Sequence, residues 1–427
     1  MSDVQRRDAV ELRRRPMLDR RSVGAADRGS PSLTLTRSTL LGSLALVAAS
    51  GSVGAQGRDT IRVIVPDTII AIQLPPDSTP RPPLRLCAGG DITLGSNLDS
   101  VWAKTAEANL WARYARRADP DSLLASIRPL FDGADVVLVN VEGAIGEGPY
   151  VKKCGPRSTS CFAFRQPPSA AAALRRLGSD RASVIGNVAN NHSHDAGAPG
   201  FELTRQLLDS AGVLVTGYDT LATSVITSRG DTIGVLGFYT GSETPDARDL
   251  SAVRRHVRRA VDTYRTVIVT MHLGAEGAAA QRTKNVSERL ANTDRGNPIA
   301  FANAAIEAGA TAVIGHGPHV LRAGEWRDSS LVLYSLGNLV NYGTFGLAEP
   351  MNHGAVACMD IAGPHQVRTP RIASTIQIAP GVVVVDPRGG SARIIDSLSA
   401  LDFPRTAISV ANDGSVDRAV TPTRRPR

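Results

Sequence analysis

Several short apolar, β-branched runs in this sequence end in polar residues. A buried strand does not require such an ending, because each buried polar group costs free energy unless it finds a partner. A ligand site does require it, since ligands of open α/β sheets bind at the carboxyl ends of strands. Carboxylate, amide and imidazole groups are suitable ligands for Zn²⁺, Mn²⁺ or Fe²⁺, so the repetition predicts a metal site. The clusters are Gly90-Asp91, Asn140-Val141-Glu142, Asn190-Asn191-His192 with Asp195, His272 with Glu276, and His316-Gly317-Pro318-His319.

Each cluster also has a simpler explanation when it is considered alone. Asp91 after two glycines is typical of a turn or a helix cap, and Asn190-Asn191 is typical of an Asx turn. His272 could be a core histidine bonded to the backbone. The simpler explanations require five coincidences at strand ends, so the pattern favours one shared site over five separate features. The histidines that lack this context, and that we predict to be structural, are His194, His256, His353 and His365.

The order of predicted elements indicates the fold class. Strands alternate with helices early in the chain and strands dominate later, which favours a layered α/β domain with a mixed sheet or paired sheets. The boundaries follow composition: six prolines mark the linker, and the last residues are basic. The predicted segments are a signal peptide at 1–55, a Pro-rich linker at 56–83, the α/β domain at 84–400 and a loosely ordered basic tail at 401–427.

The N-terminal region has the layout of a secretory signal peptide. A long basic segment precedes the apolar run at 39–50, and Val53-Gly54-Ala55 offers a small-x-small cleavage site. An uncleaved membrane anchor is the alternative, and Met17 is an alternative start. The formal charge of +8 is concentrated in part in this basic segment, and no basic stripe with interleaved aromatics follows it. We therefore predict an exported protein, periplasmic or at the cell surface, that does not bind nucleic acid.

Export permits disulfides, and the chain has four cysteines. Cys154 and Cys161 enclose a short loop, for which we predict a bridge. Cys87 and Cys358 lie inside apolar, strand-like runs and are predicted to be buried thiols.

The ordered motifs resemble the bacterial capsule-synthesis protein CapA family, over roughly residues 84–345. That family is linked to poly-γ-glutamate capsules and is itself similar to the calcineurin-like metallophosphatases. The resemblance implies a metallophosphatase-like sandwich, with two mixed sheets flanked by helices. The motifs that carry it are Gly90-Asp91-Ile92-Thr93-Leu94-Gly95, Asn140-Val141-Glu142-Gly143, Ala189-Asn190-Asn191-His192-Ser193-His194-Asp195-Ala196-Gly197, His272-Leu273-Gly274-Ala275-Glu276, Gly315-His316-Gly317-Pro318-His319-Val320 and Tyr334-Ser335-Leu336-Gly337-Asn338-Leu339.

The resemblance and the residue chemistry together predict a role for each side chain. His192 would protonate the leaving group or stabilise its charge, with Asp195 as its orienting partner, and Glu276 would orient His272. The predicted ligands of one or two divalent ions (Mn, Zn or Fe) are Asp91, Glu142, Asn191, His272, His316 and His319.

The motifs also depart from the metallophosphatase pattern. A metallophosphatase usually begins with an Asp-x-His motif, but here Asp91 is followed by Ile92 and Thr93. Its second motif usually supplies an Asp, where this chain has Asn140 and Glu142. Its last motif is usually His-x-His, whereas His316 and His319 are three positions apart. One metal, or a metal-free carboxylate–histidine site, is therefore also compatible with the sequence. Three functions follow: a hydrolase or transferase acting on poly-γ-glutamate or a related anionic polymer, a non-catalytic protein that retains such a polymer, and a general phosphoesterase. Membrane-bound capsule synthesis or export proteins are possible partners.

Overall fold

The computed structural model describes residues 60–65, 68–73, 82–95, 100–147, 162–343 and 346–419. The predicted signal peptide and the Cys154–Cys161 bridge lie outside these residues and stay predictions. The strands are, in chain order, β1 (Thr60–Val65), β2 (Thr68–Gln73), β3 (Leu84–Thr93), β4 (Val136–Val141), β5 (Ala144–Ile145), β6 (Arg165–Gln166), β7 (Ser183–Asn187), β8 (Val213–Thr216), β9 (Thr223–Ile226), β10 (Thr232–Tyr239), β11 (Thr266–His272), β12 (Arg289–Leu290), β13 (Thr293–Asp294), β14 (Ala312–His316), β15 (Gly324–Arg327), β16 (Ser330–Leu333), β17 (Asn338–Asn341), β18 (His353–Gly363), β19 (Gln366–Ile378), β20 (Val382–Val385), β21 (Ile408–Val410) and β22 (Val416–Arg418). The helices are α1 (Ser100–Tyr114), α2 (Pro120–Leu124), α3 (Ser169–Arg175), α4 (Gly197–Ser210), α5 (Leu250–Thr263), α6 (Pro298–Glu307) and α7 (Gly390–Asp402), with 3₁₀ turns at Arg128–Phe131 and Ala278–Ala280. Within the described part of the chain, no helix has the length and apolar character needed to span a membrane.

Two mixed sheets form the centre of the fold. The larger has the order β20-β19-β18-β3-β4-β7-β8, with β17 also paired to β3. Its β3, β4, β7, β8 and β17 pair in parallel, whereas β18, β19 and β20 run antiparallel to their neighbours. The smaller sheet has the order β15-β16-β14-β11-β10-β9, with a parallel centre and antiparallel edges. Mixed pairing of this kind agrees with the predicted fold class.

The two sheets pack face to face and carry helices on their outer sides. Alternate residues of each strand point to opposite faces. In β3, Leu86 faces the core between the sheets together with Ile268 of the smaller sheet, whereas Cys87 faces the outer core. The outer core of the larger sheet includes residues of α1 to α4, and that of the smaller sheet includes residues of α5, α6 and α7. The result is the predicted layered sandwich.

Helix α5 shows how the sequence specifies this packing. Four of its 14 residues are arginine, and Val253, Val257 and Ala260 are buried on one stripe against the smaller sheet. Asp249 caps the helix by accepting a hydrogen bond from the Ala252 N–H at 2.9 Å. The arginines therefore lie on the solvated face, as the sequence predicts.

The prediction that Cys87 and Cys358 are buried free thiols is wrong. Cys87 of β3 and Cys358 of β18 are directly opposite in the antiparallel register and form a disulfide. They are 271 positions apart in the sequence. Their pairing depends on which strands become neighbours, and an apolar run carries no information about its partner strand.

The C-terminal segment also differs from its prediction. Residues after 400 are packed as far as the description extends, because α7 continues to Asp402 and β21 pairs with β22. Ile408 and Val416 are buried in the core between the sheets. The composition of these short strands and their polar flanks is typical of an unstructured tail. The segment is ordered because Ile408 and Val416 pack into the core between the sheets. The linker is likewise not wholly irregular, since β1 and β2 pair as a hairpin.

Candidate metal centre

Parallel pairing places the polar strand ends of the larger sheet side by side. Asp91 of β3 is opposite Asn140 of β4, and Asn140 is opposite Asn187 of β7. In the smaller sheet, His272 of β11 is opposite His316 of β14. The prediction that the polar strand ends lie side by side is therefore correct within each sheet.

Three of the predicted ligands come together in one buried group. Donor atoms of Asp91, Glu142 and His319 all lie within 4.8 Å of one another. The Nδ1 of His319 is 3.1 Å from Asp91 Oδ2, and its Nε2 is 3.4 Å from Glu142 Oε1. Both carboxylate side chains are at most 1% exposed. The structure thus forms a group of two carboxylates and one imidazole that could hold a metal ion.

The polar atoms of this group fit a cation. Neither carboxylate oxygen of Glu142 has a hydrogen-bond partner among the described residues. Buried polar atoms are normally hydrogen-bonded, so two carboxylate oxygens without a hydrogen bond at one point require an explanation. Two carboxylates and one imidazole are a donor set that Zn²⁺, Mn²⁺ or Fe²⁺ accepts, and three protein ligands are usual in catalytic zinc sites.

The backbone holds His319 in an unusual conformation. Its φ of 58° lies in the left-handed region, which residues other than glycine seldom adopt. Asn338 stabilises it from β17: Asn338 Nδ2 donates to the carbonyls of His319 and Met351, and Asn338 Oδ1 lies 3.0 Å from His319 Nδ1. Because this oxygen can only accept, Nδ1 carries a proton and Nε2 is the nitrogen available to a metal.

The charges of the group depend on one another. Burial opposes the charge of His319, but Glu142, Asp91 and Glu276 raise its pKa to about 10. Burial would also raise the pKa of Asp91, but the hydrogen bond and charge of His319 hold it below the usual value. Burial raises the pKa of Glu142 well above its usual value, and the nearby Asp91 and Glu276 add to this effect. The His319 imidazolium therefore supplies the positive charge that the carboxylates need.

Glu276 borders the group but does not have the predicted orienting role. Its Oε2 is 3.8 Å from His319 Nε2, and its Oε1 is 2.8 Å from Nη2 of the buried Arg295. Arg295 also donates to Tyr239 Oη at 3.2 Å. The contacts of Glu276 are thus with His319 and Arg295, whereas His272 is oriented by Asn140.

Buried amides connect the group to the loop after β7. Asn140 Nδ2 donates to Asp91 Oδ1 at 2.8 Å and lies 3.2 Å from His272 Nδ1. Asn140 Oδ1 accepts from Asn187 Nδ2 at 2.9 Å and from Asn190 Nδ2 at 3.2 Å. The amide in contact with Asp91 is therefore Asn140. The ligand role predicted for Asn191 stays a prediction.

The geometry does not support a ligand role for His316. Its Nδ1 lies 3.1 Å from Thr270 Oγ1 and its Nε2 lies 2.9 Å from the Gly89 carbonyl, so both ring nitrogens are engaged. Burial lowers the pKa of His316, which is consistent with a neutral ring. The contact with Gly89 joins the smaller sheet to the larger one, and this cross-sheet contact explains a histidine at this strand end.

His192 and Asp195 form the predicted pair beside this network. His192 Nδ1 lies 2.7 Å from Asp195 Oδ2, which also accepts the Phe164 N–H at 2.7 Å. The Phe164 ring packs on the His192 ring with centroids 4.0 Å apart. The backbone N–H of His192 donates to Asn190 Oδ1 at 3.0 Å, which ties the pair to the amide network. The catalytic roles predicted for the pair stay predictions.

Sequence reasoning missed two groups near this centre. Asn187 is the last residue of β7, and its position at the end of an apolar strand is the signal that could have identified it. Arg295 lies in a loop after β13, where no periodic pattern indicates burial. His194, which we predicted to be structural, stacks on Phe201 and lies 3.3 Å from Glu243, away from the carboxylate group.

Known proteins match this chain in two ways. The family model described as "Bacterial capsule synthesis protein PGA_cap" matches residues 85–343, which include every residue of the centre. Two proteins of Sinorhizobium fredii (strain NBRC 101917 / NGR234), "Uncharacterized protein y4sH" and "Uncharacterized protein y4uA", are each 38% identical over 93 residues. That match covers 22% of this chain and 18% of each relative.

Proposed function

Because this chain belongs to the bacterial capsule synthesis protein family PGA_cap, we propose that it cleaves or transfers an anionic capsule polymer such as poly-γ-glutamate with a divalent metal ion. The observation that carries the proposal is the buried group of Asp91, Glu142 and His319, in which neither carboxylate oxygen of Glu142 has a hydrogen-bond partner among the described residues. A purely structural buried cluster would pair these atoms.

The roles of the residues follow from their contacts. Asp91, Glu142 and His319 Nε2 would hold the ion, which when bound would polarise the scissile group and activate water. Hydrolysis of a γ-amide adds hydroxide to the acyl carbon, breaks the C–N bond and delivers a proton to the leaving nitrogen. His192 is the proton donor: Asp195 accepts from Nδ1–H, so Nε2 is the nitrogen that exchanges the proton. Arg295 keeps Glu276 beside the centre.

Location outside the cytoplasm is part of the proposal. Capsule synthesis ends at the cell surface, and the Cys87–Cys358 disulfide suits an oxidising compartment. The N-terminal segment supports export through its signal-peptide layout. Membrane-bound capsule synthesis or export proteins are the partners we propose.

The test measures polymer chain length after incubation of poly-γ-glutamate with Mn²⁺-loaded protein. We expect wild type to shorten the polymer, and His192→Ala to lose this activity by roughly 10²- to 10⁴-fold, the usual contribution of a general acid. His256→Ala is the matched control, because His256 lies on helix α5 in the outer layer and should leave the rate unchanged.

A different outcome would point to a different function. Co-sedimentation with the polymer but no shortening, in the presence of metal, would contradict catalysis and support polymer retention. Turnover of a simple phosphate ester without any effect on the polymer would contradict the proposed substrate class.

A further inference from the structure

The second buried histidine of the centre, His272, differs from His319 in its hydrogen bonds. Its side chain is fully buried at the end of β11. Its Nδ1 contacts Asn140 Nδ2 at 3.2 Å, whereas its Nε2 has no hydrogen-bond partner among the described residues. Glu142 Oε1 lies 3.9 Å from Nε2. Which nitrogen carries the proton decides whether His272 can bind a metal.

Backbone groups determine the orientation of Asn190. Its Oδ1 accepts from the His192 N–H at 3.0 Å, and its Nδ2 donates to the Val141 carbonyl at 2.9 Å. A backbone N–H can only donate and a carbonyl can only accept, so the amide cannot be reversed. Its Nδ2 therefore also donates to Asn140 Oδ1.

Asn187 is oriented in the same way. Its Oδ1 accepts from the Ala189 N–H at 3.2 Å, and its Nδ2 lies 3.3 Å from the Ala189 carbonyl. That Nδ2 donates to Asn140 Oδ1 at 2.9 Å. Two independently oriented amides thus place the oxygen of Asn140 toward β7 and its NH₂ group toward Asp91 and His272.

The proton on His272 follows from this arrangement. The NH₂ group of Asn140 can only donate, so His272 Nδ1 must accept with its lone pair. A ring whose Nδ1 accepts is neutral, and its proton is on Nε2. His319 has the opposite arrangement, since its Nδ1 faces the oxygen of Asn338. The two histidines therefore differ at Nε2: His272 keeps an N–H there, whereas His319 offers a lone pair there once a metal ion displaces its second proton.

We propose that His272 is not a metal ligand but a neutral Nε2–H donor that binds an anionic oxygen of the substrate beside Asp91, Glu142 and His319. Asn140, Asn187 and Asn190 are the positioning residues that maintain this tautomer. The part of the proposal that concerns a substrate oxygen rests on the proposed function. The tautomer does not, because it follows from protein contacts alone.

The tautomer can be read directly in metal-free protein labelled with ¹⁵N-histidine. Long-range ¹H–¹⁵N correlation separates protonated from unprotonated ring nitrogens, and the His272 signals are assigned by their absence in His272→Gln or by through-bond correlation to Cβ. We expect a protonated Nε2 and an unprotonated Nδ1. A protonated Nδ1, with or without a proton on Nε2, would overturn the proposal.

Asn140→Asp tests the role of the amide chain. The new carboxylate can only accept, so we expect the proton of His272 to move to Nδ1. An unchanged tautomer in this folded variant would contradict the positioning role of Asn140. The spectrum of the unaltered protein decides the main proposal whether or not this variant folds.

Metal binding provides an independent readout. Calorimetry with Zn²⁺ alone should give His272→Gln a Kd within about threefold of wild type, whereas removing a true ligand, as in His319→Gln, should weaken binding by about 100-fold or more. An equal loss in both variants would make His272 a ligand and overturn the proposal. Failure of the protein to cleave poly-γ-glutamate would contradict the proposed function but would leave the tautomer result intact.

Discussion

Two buried glutamates in this molecule have opposite surroundings. Glu325 of β15 is fully buried, and both its carboxylate oxygens are bonded: Oε1 accepts from Tyr334 Oη at 2.7 Å and Oε2 accepts from Thr406 Oγ1 at 2.5 Å. Arg327 lies 3.0 Å from the same carboxylate. Glu142 is equally buried, but neither of its oxygens has a hydrogen-bond partner among the described residues.

The contrast distinguishes a carboxylate that stabilises the fold from one that is kept for a ligand. A paired buried carboxylate recovers the cost of losing water through its hydrogen bonds. An unpaired one does not, and burial instead raises the pKa of Glu142 well above its usual value. A chain accepts this cost where another group, here a cation, completes the site.

The largest expected effect is on metal affinity. Glu142→Gln and His319→Gln each remove one of three ligands, so Zn²⁺ or Mn²⁺ should bind roughly 100-fold more weakly or not at all. Calorimetry measures this, and Glu325→Gln is the matched control with unchanged affinity. Equal affinity in Glu142→Gln and wild type would contradict the assignment of Glu142 as a ligand.

The second-largest expected effect is on stability, where Glu325→Gln should be the more damaging of the two substitutions. Glu325→Gln places an amide NH₂ against donors of Tyr334, Thr406 or Arg327, and should reduce the free energy of unfolding by about 1–3 kcal/mol. Glu142→Gln removes a carboxylate without hydrogen bonds and only its ion pair with His319 is lost, so it should destabilise the metal-free protein less than Glu325→Gln does. Urea unfolding in the presence of a chelator compares the two variants. A larger loss for Glu142→Gln would show that our distinction is mistaken.

The third prediction concerns pH. Because the folded pKa of His319 is about 10 and its ordinary value is 6.5, its contribution to stability is complete below about pH 6.5 and is lost as pH rises through 10. The raised pKa of Glu142 acts in the same direction, since ionising it in the folded state is unfavourable. The Tm of metal-free protein should therefore fall between pH 6.5 and 9.5, and His319→Gln should flatten this slope.

Metal binding should show the opposite dependence on pH. The ligands must lose their protons to bind, so affinity should rise with pH and binding should release protons. Calorimetry in buffers of different ionisation enthalpy counts the protons released. Binding without proton release would contradict the charge state that we assign to Glu142 and His319.

The smallest expected effect is at His316. Both of its nitrogens are bonded within the protein, so His316→Gln should change Zn²⁺ affinity by no more than about threefold while costing about 1–3 kcal/mol of stability. A loss of affinity comparable with that of His319→Gln would make His316 a ligand after all.

The sequence predicted the layered fold and the convergence of its strand ends, because both follow from local patterns. Asp91 lies near the end of β3, Glu142 and His319 come after β4 and β14, and parallel strands bring such endings to one edge. It could not predict which nitrogen of a histidine is engaged. The contacts of His316 with Gly89 and of His272 with Asn140 join residues that are 227 and 132 positions apart.

The missed features share this dependence on long-range contacts. The Cys87–Cys358 bridge requires the register of β3 against β18, and the burial of Arg295 requires the loop to fold over Tyr239 and Glu276. Composition is a poor guide to such contacts, since an arginine in a polar loop is usually exposed. Tertiary structure decides these cases.

The most direct test of the metal centre is a crystal structure of the protein soaked with Mn²⁺, recorded with anomalous scattering. We predict one anomalous peak coordinated by Asp91, Glu142 and His319 Nε2, with the peak absent in Glu142→Gln. A peak coordinated by other residues, or no peak under conditions in which calorimetry detects binding, would contradict the assignment of this group as the metal centre.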